Sequence, residues 1–141
     1  MSYTHTIFDT VPKQDSLHFW QRGQIDGRKV SEFLDITVQD LSRIARVAKS
    51  SVRFDERMPP QVRDRLALIA NICNLVYEFF GDDVKTALWF KTPNPMLGDV
   101  SPRDMIRFGR YNKLLRFVTE ALEQGERRGR EASQKRAQAN F

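Results

Sequence analysis

The sequence has little cysteine and histidine and no long apolar run. It contains one cysteine, Cys73, and two histidines, His5 and His18. One cysteine cannot form an internal disulfide, and these three residues lack the spacing of a zinc or iron site. No apolar stretch approaches the roughly 18 to 20 residues that span a bilayer, and the first residues lack the pattern of a secretory signal. The sequence therefore predicts a cytoplasmic protein with no metal site and no membrane partner.

Catalytic motifs are also lacking. Neither histidine has a serine or cysteine nucleophile in a motif, and there is no glycine-rich loop for phosphates. Cys73 falls on an apolar helix face, where a thiolate is disfavoured. We therefore expect no enzymatic activity, no catalytic residue and no cofactor.

The composition is that of one folded, basic domain. Hydrophobic residues make up 40% of the 141 residues, and neither glycine (7) nor proline (6) is in excess. Lys and Arg number 23 against 18 Asp and Glu, which gives a formal net charge of +5. This excess favours a polyanionic partner but does not identify one.

Apolar residues recur at helical spacing along most of the chain and predict an all-α fold with no strand. The longest helix begins at Pro60, because proline suits a first turn, and ends before Gly81, because glycine accepts positive φ. Its apolar face is wide enough to form the centre of the fold and to contact a second subunit in a homodimer. The predicted segments are an N-terminal arm (1–27), a helix-turn-helix region (28–58), the long connecting or dimerisation helix (59–81), a small helical subdomain (82–125) and a basic flexible tail (126–141).

Residues 38–53 fit the helix-turn-helix template. Leu41, Ala45, Val47 and Val52 occupy its apolar positions, and Ser42 is the small residue that lets the helices approach. This register makes residues 49–53 a recognition helix on double-stranded operator DNA. The predicted DNA-binding residues are Arg46, Lys49, Ser50, Ser51 and Arg53.

Two alternatives to this interpretation stay open. A second register begins at Arg28, uses Thr37 as the N-cap of its second helix and brings Asp40 to the groove, where a carboxylate would repel phosphate. The same apolar spacing also occurs in helical hairpins that bind no DNA. The basic tail has a similar ambiguity, since its cations suit either phosphate contacts or solvent.

The second half of the sequence carries a more specific pattern. A tryptophan near the end of a helix is followed by an asparagine between two prolines, a leucine-glycine turn and a helix that begins with proline. The residues are Phe80-Gly81-Asp82, Ala87-Leu88-Trp89-Phe90, Thr92-Pro93-Asn94-Pro95-Met96-Leu97-Gly98 and Ser101-Pro102-Arg103-Asp104-Met105. This pattern resembles the toxin-binding domain of the Xre/MbcA/ParS-like antitoxins, which follows a helix-turn-helix region in that family. With that region, the resemblance spans residues 28–125.

The resemblance implies an antitoxin of a type II toxin-antitoxin system that neutralises a partner toxin and represses its own operon. The toxin in that family is often a RES-domain protein that acts on NAD, or a relative that modifies nucleotides or proteins with ADP-ribose. The predicted toxin-binding residues are Trp89, Phe90, Asn94, Met96, Leu97, Arg103 and Arg107. An exposed patch of Phe90, Met96 and Leu97 suits a partner, whereas Trp89 packed on Leu97 inside the domain would have only a structural role. The alternative function is a transcriptional regulator of antitoxin ancestry that has no toxin.

Overall fold

The computed structural model describes residues 14–139, and regular structure in this range is mostly helical. The predicted all-α class is confirmed, with a small hairpin in addition. The elements in chain order are β1 (Trp20–Gln21), β2 (Gln24–Ile25), α1 (Gly27–Leu34), α2 (Val38–Ala45), a 3₁₀ turn (Lys49–Ser51), α3 (Pro60–Phe80), α4 (Asp83–Lys91), a second 3₁₀ turn (Pro95–Leu97), α5 (Pro102–Arg107) and α6 (Tyr111–Ala139). Within this range, no helix is both long enough and apolar enough to cross a membrane.

The long helix α3 is the centre of the core. It packs against α1, α2, α4 and α6, and its apolar side chains at positions 62, 66, 69, 72 and 73 are almost entirely buried. The helix has Pro60 at its first position, and Gly81 ends it with φ +65° while donating its N–H to the Tyr77 carbonyl at 2.7 Å. Both predicted ends are confirmed. Because other helices of the same chain already cover most of the α3 apolar face, that face offers little area for contact with a second subunit.

The structure corrects the prediction that residues 1–27 form a separate N-terminal arm, for the part from residue 14 onward. Residues 1–13, which include His5, lie outside the described range. β1 and β2 pair antiparallel, and Leu17 and Phe19 are buried in the main core. The buried Asn74 of α3 fastens this segment, since its Oδ1 accepts the Leu17 N–H at 3.0 Å and its Nδ2 donates to Asp15 Oδ1 at 2.9 Å. These bonds join residues almost sixty positions apart, so no local pattern reveals them.

The predicted recognition helix is wrong. Residues 49–51 form a single 3₁₀ turn and Val52 is extended, because Ala48 offers no side-chain oxygen to cap a helix and Arg46 ends α2 in the left-handed region at φ 56°. The two helices joined by a short turn are instead α1 and α2, as in the second register. Thr37 and Asp40 form the capping box at the start of α2.

The predicted C-terminal boundary is also wrong. Gly109, at φ +80°, separates α5 from α6, but α6 does not end at Gly125 and continues to Ala139. All described side chains of 123–138 are exposed. The absence of an apolar stripe hides this helix in the sequence, whereas acid-before-base spacings of four residues favour it. These spacings are Glu123 to Arg127, Glu126 to Arg130, and Glu131 to Lys135.

Candidate functional site

The loop between α4 and α5 is held by its own hydrogen bonds. Asn94 Oδ1 accepts the Met96 N–H at 2.9 Å, and the Asn94 N–H donates to the Val100 carbonyl at 3.2 Å. Gly98 closes the turn with φ +73°. Asn94 therefore shapes the loop, and the loop holds the Met96 side chain outward with 77% of its surface exposed.

The two aromatic residues at the end of α4 have different environments. Phe90 is fully buried, where α4 packs against α1, α3 and α5. Trp89 is half-buried, and its ring meets the Phe90 ring edge to face at 5.1 Å. The prediction that Phe90 is part of an exposed patch is wrong. Neighbouring residues on a helix point about 100° apart, and here Phe90 points to the core.

Several large apolar side chains remain exposed in this half of the chain. Val84 and Leu88 lie one turn apart on the outer face of α4, and Phe79 is exposed near the end of α3. Met96 in the Asn94 loop and Phe108 at the end of α5 are exposed as well, with 63% of the Phe108 surface accessible. Of these side chains, only Met96 belongs to a surface patch that the sequence predicts. An apolar residue on a short helix gives no sign by itself of whether the core has room for it.

Met96 and Phe108 border a groove of about 540 Å³ between the second 3₁₀ turn, α5 and the first turns of α6. Its apolar side chains are Met96, Leu97, Val100, Met105, Phe108 and Phe117. Its charged side chains are Arg110, Lys113, Arg116 and Glu120. We call this feature the α5–α6 groove; it combines apolar walls with an excess of positive charge.

The other two predicted partner-binding residues, Arg103 and Arg107, lie on α5. Arg107 Nη1 donates to Asp104 Oδ1 at 3.0 Å, and its Nε lies 3.3 Å from Asp40 Oδ1 in α2. The bonds to Asp104 and Asp40 raise the pKa of Arg107. Arg107 therefore joins two helices of the same chain and is not a free cation on the partner side. Arg103 is half-buried.

The predicted DNA-binding residues lie together in the segment 46–53, which runs from the end of α2 past the first 3₁₀ turn. Arg46, Lys49 and Ser50 are exposed, and Ser51 is half-buried. Arg53 is exposed but paired, since its Nη2 and Nε donate to Asp55 Oδ2 at 2.8 and 3.2 Å. Hydrogen bonds from the Arg57 N–H and from Arg53 lower the pKa of Asp55. This segment therefore presents Arg46, Lys49 and Arg53 to solvent, and the charge of Arg53 is balanced by Asp55.

Cys73 lies in the core, where burial raises the pKa of its thiol. In residues 14–139, no group of three or more His, Cys, Asp or Glu side chains is placed to hold a metal ion.

Comparison with known proteins finds a family match for a segment in the second half of the chain. Residues 75–111 match the family model of the antitoxin Xre/MbcA/ParS C-terminal toxin-binding domain. This match confirms the resemblance predicted from the tryptophan and proline pattern, from the end of α3 to the start of α6. Among solved structures, the chain is similar to one in the crystal structure of the M. tuberculosis MbcT-MbcA toxin-antitoxin complex. The identity is 24%, the TM-score is 0.48, and the alignment covers 71% of this chain and 92% of that chain. A comparison with curated protein sequences gave no match.

Proposed function

We propose that this protein is an antitoxin that binds and neutralises a partner toxin through the half of the chain that follows α3. The observation that carries the proposal is the match of residues 75–111 to a toxin-binding domain. Exposed apolar side chains within the same segment, among them Leu88, Met96 and Phe108, support it. Methionine and aromatic residues are enriched in protein interfaces, and clustered exposed apolar groups mark such surfaces.

The type of toxin and the site of action form the finer part of the proposal. The family resemblance favours a RES-type toxin that acts on NAD, and we propose this type as the first candidate, in the cytoplasm. A toxin of this type would be tested by whether it depletes cellular NAD when it is expressed without this chain.

The proposal is tested by co-expression. The chain is purified under mild conditions from its native host, and the proteins that accompany it are identified by mass spectrometry. Each candidate is then expressed alone and together with this chain. We expect a protein that stops growth alone and is harmless in the joint expression, and that forms a complex with the chain in size-exclusion chromatography. If no accompanying protein is toxic alone, the alternative regulator without a toxin is favoured.

We further propose that the chain binds operator DNA as a homodimer and represses its own operon. The exposed Arg46 and Lys49 support the DNA-binding part of this proposal, because cations beside a helix pair suit phosphate contacts. Ser50, Ser51 and Arg53 lie in the same segment, 46–53, and are the other proposed contacts. In a two-fold dimer the two copies of this segment would contact half-sites about one helical turn, or 34 Å, apart. A mobility-shift assay on the upstream region of the operon, with a scrambled duplex as control, tests the proposal. Equal affinity for the two duplexes would contradict it.

A further inference from the structure

The α5–α6 groove has two walls from different parts of the chain. One wall is the Asn94 loop with the end of α5, which contributes Met96, Leu97 and Phe108. The other wall is α6, which contributes Phe117 and lies beyond the segment matched by the antitoxin family. Met105, which also lines the groove, is almost fully buried. Part of the apolar surface is therefore built into the packing of α5 against α6.

The charged side chains of the groove are mostly positive. Lys113, Arg116 and Glu120 follow one another along α6 at helical spacing, and Arg110 comes just before the helix. The three cations outnumber the one carboxylate. Among residues 14–139, none of these cations forms an ion pair. An occupant that brings carboxylates to this rim would gain orientation and specificity from them, while the apolar walls supply contact area.

We propose that the α5–α6 groove receives a segment of the partner toxin that carries apolar side chains flanked by acidic residues. This inference rests on the proposed toxin-binding function and assigns the recognition to this groove. A second copy of the chain is a poorer occupant, because the chain carries a formal net charge of +5 and would bring further positive charge to a cationic rim.

The test uses the full chain with two charge-reversal variants. Lys113→Glu with Arg116→Glu inverts the groove rim at two exposed positions three residues apart. Arg127→Glu with Arg130→Glu makes the same change of charge, at the same spacing, on the exposed distal part of the same helix. Circular dichroism and thermal unfolding establish that both variants fold.

The first probe is a fluorescent helical peptide of 14 residues with Leu and Phe on one face and Glu elsewhere. A peptide in which Lys replaces each Glu is its control. We expect fluorescence anisotropy to show binding of the acidic peptide to the wild-type chain, weakened at least about tenfold by the groove reversal and unchanged by the distal reversal. Absent binding of the acidic peptide, equal binding of the two peptides, or equal loss in the two variants would overturn the inference.

The second probe is the toxin found by co-purification. Loss of the complex in the groove variant alone supports the inference. If the toxin binds the wild type and the groove variant equally, the groove is not its site, and the toxin-binding function stands. If the wild type binds no toxin, the proposed function fails and the inference with it. Should the wild type form a dimer that the groove reversal abolishes, the occupant is a second copy and the inference is wrong.

Discussion

Asp40 of α2 and Arg107 of α5 form an ion pair between the two halves of the chain, with Arg107 Nε 3.3 Å from Asp40 Oδ1. The Asp40 side chain is 3% exposed. It also accepts hydrogen bonds from the Thr37 N–H at 3.0 Å and from Arg43 Nη2 at 2.6 Å. Burial would raise the pKa of the Asp40 carboxyl, but the bonds from Thr37, Arg43 and Arg107 outweigh it and lower the pKa. One carboxylate therefore caps α2 and joins it to the segment that matches the toxin-binding domain of the antitoxin family.

Substitution of Asp40 by Asn should destabilise the fold in a pH-dependent manner. At pH 7 the loss in free energy of unfolding should be about 2 to 3 kcal/mol, because charge-assisted hydrogen bonds are lost and Arg107 keeps no buried partner. Since the pKa of Asp40 is lower in the folded state, its contribution is present above the unfolded pKa of about 3.9 and is lost as the pH falls through the folded value. Urea unfolding at pH 7, 5 and 3 measures the difference.

The matched control is Asp99→Asn, which removes an exposed carboxylate at a left-handed position where asparagine is tolerated. We expect the control to remain within about 0.5 kcal/mol of the wild type. A difference for Asp40→Asn that is the same at pH 7 and pH 3 would contradict the role given to its charge.

Replacement of Asn74 by Ala should release the N-terminal segment. The Leu17 N–H would lose its acceptor while buried, which costs about 1 to 3 kcal/mol. Hydrogen exchange at Leu17 should accelerate, and trypsin should cleave after Arg22 sooner than in the wild type. Asn112→Ala, an exposed position on α6, is the control. If both variants exchange at the same rate, Asn74 does not hold this segment.

The elements that could be predicted from the sequence are those whose ends depend on local chemistry. Thr37 and Ser101 accept the N–H three residues later, and Asp82 accepts two N–H groups in the first turn of α4. Pro60 and Gly81 bound α3 through their own backbone preferences. Each of these features is decided within four residues, so its sequence signal is sufficient.

The elements that were missed depend on distant residues or on charge. The segment that leads into the hairpin is fastened by Asn74, far along the chain, through bonds to Asp15 and Leu17. Phe90 and Leu88 are both apolar residues on α4, and only the packing of α4 against its neighbours decides that the first is buried and the second exposed. The α5–α6 groove could not be predicted because its walls meet only after α5 and α6 pack together.

The double substitution Gly125→Ala with Gly129→Ala should strengthen the distal part of α6. Glycine lowers helix stability by about 1 kcal/mol per residue relative to alanine, and a Cβ at either position meets nothing within 4 Å. We expect a more helical far-UV circular dichroism spectrum. Gly109→Ala is the control, and we expect it to lower the stability of the fold, because Gly109 has φ +80° and alanine there is strained. An unchanged spectrum in the double variant would contradict a helix that extends to residue 139.

Cys73 should resist thiol reagents in the native state. Its side chain is fully buried in α3 and its pKa is raised, so little thiolate is present and none is accessible. Labelling with an aromatic disulfide reagent should be slow in buffer and complete within minutes in concentrated urea. A Ser50→Cys variant supplies an exposed thiol as the positive control. Rapid labelling of the native wild type would contradict the buried position.

Asp55 should limit DNA binding by holding Arg53 in an ion pair. Asp55→Ala would free the Arg53 guanidinium for phosphate, and it also removes a carboxylate that repels the duplex. We expect tighter binding to the upstream operon DNA and a steeper dependence of log affinity on log salt, by up to about 0.9 for one added phosphate contact. Lys49→Ala should weaken binding to the same DNA and make the salt dependence less steep. Glu78→Ala makes the same charge change as Asp55→Ala at an exposed site near the end of α3. If Glu78→Ala and Asp55→Ala raise the affinity equally, net charge alone is responsible, and Arg53 makes no contact of its own.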